Sequence, residues 1–143
     1  MTAVSAAAGK LLLDFYWNTT TATRPTNWYA NLSLGSPTNV SGSEIATGSG
    51  ITRQSVSMPA ASTAAATNSS STVANTAAMT YGPLAGASNS FSGIAIFHGT
   101  AVTDAGTSGA GTYGWGALLA TVRSAIIGDS LVISSAALTA LMG

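Results

Sequence analysis

The sequence has almost no charge. Four Lys or Arg and four Asp or Glu stand among 143 residues, 6% of the chain, and the formal net charge is zero. Soluble domains average about 25% charged residues. The eight are Lys10, Arg24, Arg53, Arg123, Asp14, Glu44, Asp104 and Asp129. Recognition of a phosphate backbone needs clustered Lys and Arg, and four scattered cations argue against nucleic acid as a partner. Cysteine is absent, which excludes disulfides and thiolate-held metals. Histidine occurs once, as His98. A zinc site takes three or four His, Cys or carboxylate ligands, and here they would have to come from acids far apart in sequence. No apolar run approaches the ~18–20 residues of a transmembrane helix; the longest, Leu11 to Leu13 with Phe15 to Trp17, is interrupted by Asp14. Lys10 precedes only that short stretch, without a clean small-residue cleavage site after it, so neither membrane nor secretory leader is expected. A neutral surface rich in Ala, Ser, Thr and Gly leaves little electrostatic repulsion between copies. It suits a protein packed against neighbours better than a free monomer.

What is present is a series of short apolar segments separated by turn residues. Val4, Ala8, Leu11 and Phe15 recur at three- and four-residue spacing, which predicts a helix over 2–17 with one apolar face. Thr2 or Ser5 is placed to cap it. From Trp28 to Leu34, Trp28, Ala30, Leu32 and Leu34 alternate with Tyr29, Asn31 and Ser33, the clearest strand pattern in the chain. Further strands are expected over Ile51–Met58, stopped by Pro59, over Val73–Tyr81, closed by Gly82-Pro83, over Phe91–His98 and over Tyr113–Arg123. Leu131 to Ile133 follows a Gly128-Asp129 turn, and Ala136 to Met142 reads as a strand or a short helical turn. Phe91 to His98 is apolar on both alternating faces, as in a strand covered on both sides. Residues 38–50, 60–72 and 100–112 read as loops. The fold class expected is mainly β: a single antiparallel β-sandwich or barrel of about six or seven strands with an N-terminal helix. Residues 1–17 form the helical segment and 18–143 the β-sandwich-like domain, one folding unit in all. A domain of this size buries roughly 68–70% of its unfolded surface, so a core is available. Trp28 and Trp115, in the clearest strands, are the expected core anchors.

Catalytic chemistry finds no foothold. A Ser-His-Asp triad needs an acid to orient the histidine and an activated serine; His98 sits at a strand end beside Gly99, Asp104 is the nearest acid in sequence, and no G-x-S-x-G elbow exists. The four acids lie in a helix, two loops and a turn, with no spacing that pairs two of them for glycoside hydrolysis. Asp129 after Gly128 has an ordinary turn role. Gly106 to Gly111 lacks the Lys-Ser/Thr of a phosphate loop. No catalytic residue, metal, cofactor or small-molecule substrate is therefore expected. A helix as short as 2–17 is marginal alone in water. It docks either on its own domain or on a neighbouring chain. Leu11, Phe15, Tyr16 and Trp17 are the candidate interface residues, because Tyr16 and Trp17 add aromatic area of the kind that dominates interfaces.

The order of these features resembles a group of small phage structural proteins labelled tail-fibre-like or head-decoration proteins. The resemblance is carried by Trp28-Tyr29-Ala30-Asn31-Leu32-Ser33-Leu34 with its Pro-containing turn, and by a Glu-containing loop leading to Gly50-Ile51-Thr52-Arg53-Gln54-Ser55-Val56. Val73 to Tyr81, Phe91 to His98 and the closing segment from Trp115 through Ile127-Gly128-Asp129-Ser130-Leu131-Val132-Ile133 to Leu138 extend it over about residues 10–140. The aromatic-Gly pair expected after Pro83 is missing, and the 100–112 loop is long. The resemblance implies a virion protein, not an enzyme. The first expectation is a capsid decoration or cement protein on the outer surface of the head, a homo-oligomer whose partners are the major capsid protein and copies of itself. The alternative is a tail- or fibre-associated protein that binds the host surface, with loops 38–50, 60–72 and 100–112 as possible receptor contacts.

Overall fold

A computed structural model describes residues 2–4, 6–17, 25–38, 43–45, 49–59, 71–99 and 112–142. Its elements in chain order are β1 (Thr2–Val4), α1 (Ala6–Trp17), β2 (Trp28–Ser33), β3 (Gln54–Ser55), β4 (Ser71–Ala74), β5 (Met79–Tyr81), β6 (Asn89–His98), β7 (Thr112–Ala125), β8 (Leu131–Ile133) and β9 (Thr139–Met142). The mainly-β, antiparallel architecture with an N-terminal helix is as expected. The described strands form a five-stranded sheet in the order β1-β7-β6-β2-β3 and two two-stranded sheets, β4-β9 and β5-β8.

Besides shifts of one to three residues at several strand ends, three elements differ from the expectation. The helix begins at Ala6, and Thr2–Val4 forms an edge strand in which Thr2 faces Ala117 and Val4 faces Trp115. Val4 thus belongs to the sheet and not to the helical stripe: two of these three residues are β-branched, which suits a pleated edge better than a helix. Of Ile51–Met58 only Gln54–Ser55 is a strand, pairing with Ala30 and Tyr29. The expected Val73–Tyr81 strand is two strands, because the chain breaks at Asn75. That side chain is 2% exposed. Its Nδ2 donates to the carbonyls of Ala77 (2.7 Å) and Ser134 (3.0 Å), and its Oδ1 accepts from the Leu138 amide at 2.8 Å. The main chain therefore passes from the β9 partner to the β8 partner without leaving buried groups unpaired. Asn75→Ala removes three bonds at once, and each buried group left unsatisfied costs about 1–3 kcal/mol. Urea denaturation should show a loss at the upper end of that range or beyond.

The core lies against one face of the large sheet. Ala30 and Leu32 from β2 and Phe91, Ile94 and Ile96 from β6 meet Met79 and Tyr81 of β5, with Ile45, Ile51, Val56, Leu84, Ala125 and Leu138 closing the cluster. Trp28 and Trp115 are half-buried and pack against this cluster from its margin. The expectation that they anchor the core is corrected: the largest fully buried side chains are Tyr81 and Phe91. Both tryptophans sit towards the end of the sheet where β2 starts, and there the cover of one face runs out.

β6 is buried on both faces, as its sequence predicts. The opposite face is covered in part by the chain after β2. Pro37 lies so close over the sheet that a Cβ on Gly116 would stand 2.5 Å from Pro37 Cβ, and one on Gly93 would stand 3.0 Å from Pro37 Cδ. Glycine at these two strand positions marks that close approach. The turn after β7 is set by Asp129, whose Oδ2 accepts from the Ile126 amide at 3.0 Å, the role expected of it.

Candidate interaction surface

Charge, where it occurs, is mostly used up within the fold. Asn31 lies on the face of β2 opposite the Ala30 and Leu32 side chains, and Glu44 follows on the segment bridged to Ser33. Arg53 stands just before β3, beside β2. These placements bring three polar side chains together: Arg53 Nε and Nη2 donate to Glu44 Oε1 (2.6 Å) and Oε2 (2.7 Å), and Asn31 Nδ2 donates to Glu44 Oε1 at 2.7 Å. Arg53 and Glu44 side chains are 3% and 6% exposed. The guanidinium also stacks 3.6 Å over the Phe97 ring. Both carboxylate oxygens of Glu44 are engaged, so the cluster holds strands together and offers no free base. Burial, and secondarily the negative charge of Glu44, pushes the Tyr81 phenol well above its ordinary range, so it stays neutral at every physiological pH. The pairing leaves no signal in the sequence: Glu44 and Arg53 are nine residues apart on irregular segments, and polar Asn31 alternates with apolar Ala30 and Leu32 as in any strand with one open face.

A further ion pair among the described residues, Lys10 with Asp14, lies one turn apart on α1. Among the described residues no group of three or more His, Cys, Asp or Glu is placed to hold a metal ion. Asp104, the acid considered beside His98, lies outside the described residues, as do 39–42, 46–48, 60–70 and 100–111 of the loops considered for receptor contact. His98 ends β6 with its ring edge-on to Trp28, centroids 5.4 Å apart, and partial burial lowers its pKa. Its folded value is thus below the unfolded value of about 6.5. Between the two, the unfolded chain binds more proton than the folded one, so this contribution to stability is complete above pH ~6.5 and is lost as pH falls through the folded value. Comparing His98→Gln with the parent in denaturant titrations across that window should show a shallower acid limb in the variant.

The fold also leaves large apolar side chains exposed. Ala8 and Leu11 are half-buried on α1, which packs near β7, and Leu12, Leu13, Phe15 and Trp17 are exposed, Trp17 at 85%. Of the four candidate interface residues, Phe15 and Trp17 are mostly exposed, Leu11 is half-covered, and the side chain of Tyr16 lies outside the described residues. Leu12 and Leu13 lie off the Ala8, Leu11 and Phe15 stripe and are not among the four residues expected at a contact. The helix is in fact apolar around most of its circumference, a pattern typical of buried helices. A second exposed set, also unanticipated, comprises Leu118 and Val122 of β7, Ile126 and Ile127 of the turn, and Val132 of β8.

The family model described as Podophage GP4 fiber I protein gp80 matches residues 3–140. The chain belongs to this family. No curated protein matches it. Membership in a phage fibre family makes the chain a structural component of the virion, and the match runs from β1 to β9, so the helix and the turn that carry the exposed apolar residues both fall inside it.

Proposed function

We propose that the chain is a fibre component of the phage particle, held to a neighbouring virion protein by the apolar surface of α1. The observation that carries this reading is the exposure of Leu12, Leu13, Phe15 and Trp17 on one short helix. Contiguous exposed apolar surface of this kind marks a protein contact, and a central aromatic such as Trp17 is the residue type that most often dominates binding energy. The family description favours fibre over the first expectation of a head-decoration protein bound to the major capsid protein. The work of the chain on this reading is binding, without turnover, cofactor or small-molecule substrate. Because the contact is apolar and the chain carries few charges, its strength should depend weakly on salt.

Since β1 belongs to the sheet, removing residues 1–17 would damage the fold as well as the contact, and substitution is the cleaner test. Leu13→Glu with Trp17→Glu should leave denaturant stability within about 0.5 kcal/mol per site, as for surface changes elsewhere. Incorporation into particles should fall by at least about 30-fold, the equivalent of one 2 kcal/mol hot spot. Full incorporation of the folded variant contradicts the proposal.

A further inference from the structure

Trp28, His98 and Thr112 stand in one ladder row across three strands. Trp28 of β2 faces His98 of β6, and His98 faces Thr112 of β7. Directly opposite residues project from the same side of a sheet. For this row it is the side that carries Ala30 and Leu32, by the period of two along β2, at the end of the sheet where the cover of that face runs out. Gly114 is the extra residue of the bulge between the Ile96–Trp115 and Phe97–Tyr113 pairs. A Cβ on it would stand 3.3 Å from Trp28 Cζ3 and 3.8 Å from His98 Cδ2. Glycine here lets the indole lie low across β6 towards β7, with the imidazole edge-on beside it. Both rings keep part of their surface open, and Thr112 is exposed. Among the described residues, neither the indole N–H of Trp28 nor either ring nitrogen of His98 has a hydrogen-bond partner. Partial burial favours the neutral imidazole, which offers one donor and one acceptor.

We propose that Trp28, His98 and Thr112 form a binding site for a neutral pyranose unit of a carbohydrate, stacked on the indole. The C–H face of a pyranose is apolar and weakly positive, and it complements the negative face of an indole. Its hydroxyls both donate and accept, which is what the indole N–H, the neutral imidazole and the Thr112 hydroxyl call for. Small-ligand sites have this make-up, an apolar surface with a few placed polar groups. Other ligand classes fit less well. An apolar peptide on this surface would bury the indole N–H and the imidazole nitrogens unpaired, at the cost of their desolvation. A nucleotide would stack as readily, but its phosphate calls for clustered Lys and Arg; an acidic sugar calls for a cation too. The described charges are engaged or distant: Lys10 and Asp14 pair with each other on α1, Glu44 and Arg53 pair on the other face of the sheet, and Arg123 faces Phe91 at the far end of β6. The inference goes beyond the α1 contact and holds whichever virion protein covers that helix.

The three tryptophans of the chain give three indole N–H signals in a nitrogen-15 correlated NMR spectrum, assigned by Trp17→Phe, Trp28→Phe and Trp115→Phe. The probes are linear hexasaccharides of glucose, galactose, mannose and N-acetylglucosamine, with hexagalacturonate as the anionic control. Each is titrated to about 10 mM, well above the ~1 mM dissociation constant of a weak single site. The expected result is a saturable shift of the Trp28 signal with at least one neutral sugar, while the Trp17 signal stays in place and hexagalacturonate binds more weakly. Followed through the backbone signals of His98 and Thr112, Trp28→Ala should weaken that binding at least about 10-fold, the loss of one stacked ring. Thr112→Val, a change of similar shape at an exposed position, should weaken it about 3-fold by removing one hydrogen bond. No Trp28 shift with any neutral hexasaccharide overturns the proposal, and so does a shift confined to Trp17, which would put the sugar on α1. Tighter binding of hexagalacturonate than of every neutral sugar overturns the ligand class. Parent-like binding by the folded Trp28→Ala protein overturns the site, and if that variant does not fold, parent-like binding by Thr112→Val does so. The Leu13→Glu, Trp17→Glu protein should bind the same sugar as the parent, so failure of the α1 contact leaves this site standing.

Discussion

Arg53→Ala is expected to lower stability by about 3–5 kcal/mol, because it strands the Glu44 carboxylate in the interior. A domain's whole stability is only about 5–15 kcal/mol, so the variant should sit near its folding limit at 37 °C. The number comes from what the guanidinium does. It makes both charge-assisted bonds to Glu44 and covers the Phe97 ring, and its removal leaves Asn31 Nδ2 as the remaining side-chain donor among the bonds described for Glu44. Arg53→Lys keeps the charge and loses the two-pronged geometry, so it should fall between parent and Ala. Replacing Glu44 and Arg53 together by Leu and Met should recover much of the loss, since an ion pair of this kind is often no better than an apolar pair of similar volume. Urea midpoints for the four proteins check the order. Equal midpoints for the parent and Arg53→Ala would show that the pair is not buried as described.

Phe91→Ala should cost about 3–5 kcal/mol, the range for emptying a large aromatic from a packed core. Phe91 is fully buried at the point where β6 meets the end of β7, among Tyr81, Leu84 and Ala125 of the same cluster. Trp28→Ala should cost less although the side chain is larger, because Trp28 is half-exposed at the cluster's margin and its neighbour His98 can relax into the space. Thermal melts of the two variants give the comparison directly. A Trp28→Ala protein less stable than Phe91→Ala would place the centre of the core at the other end of the sheet.

That reversal shows where sequence pattern stops informing. Period-two alternation located β2, β6 and β7 well, because a pleated strand leaves its period in the sequence whatever packs on it. It did not rank Trp28 above or below Phe91, because burial depends on which segments cover a face, and the cover here is irregular chain around Ile45, Ile51 and Leu84. The break at Asn75 was hidden for a related reason: a strand run and two strands joined by a buried amide have similar composition. Glu44 and Arg53 looked like scattered charges, since nine residues of loop carry no periodicity that would place them together. On the helix, the three- and four-residue spacing of Leu11 and Phe15 was legible, but Leu11 turned out half-covered and Phe15 exposed. Only the location of β7 dictates which side is covered. Leu118 and Val122 read as one face of a strand, and nothing in their spacing reveals that β6 falls away beside them.

On the proposed reading, this fibre-family chain works as a virion component through the apolar surface of α1. A density map of the intact particle at side-chain resolution tests it most directly. The expected map shows the chain in a fibre, with Leu12, Leu13, Phe15 and Trp17 of α1 covered by a neighbouring protein. A map in which those four side chains face solvent in the assembled particle would contradict it.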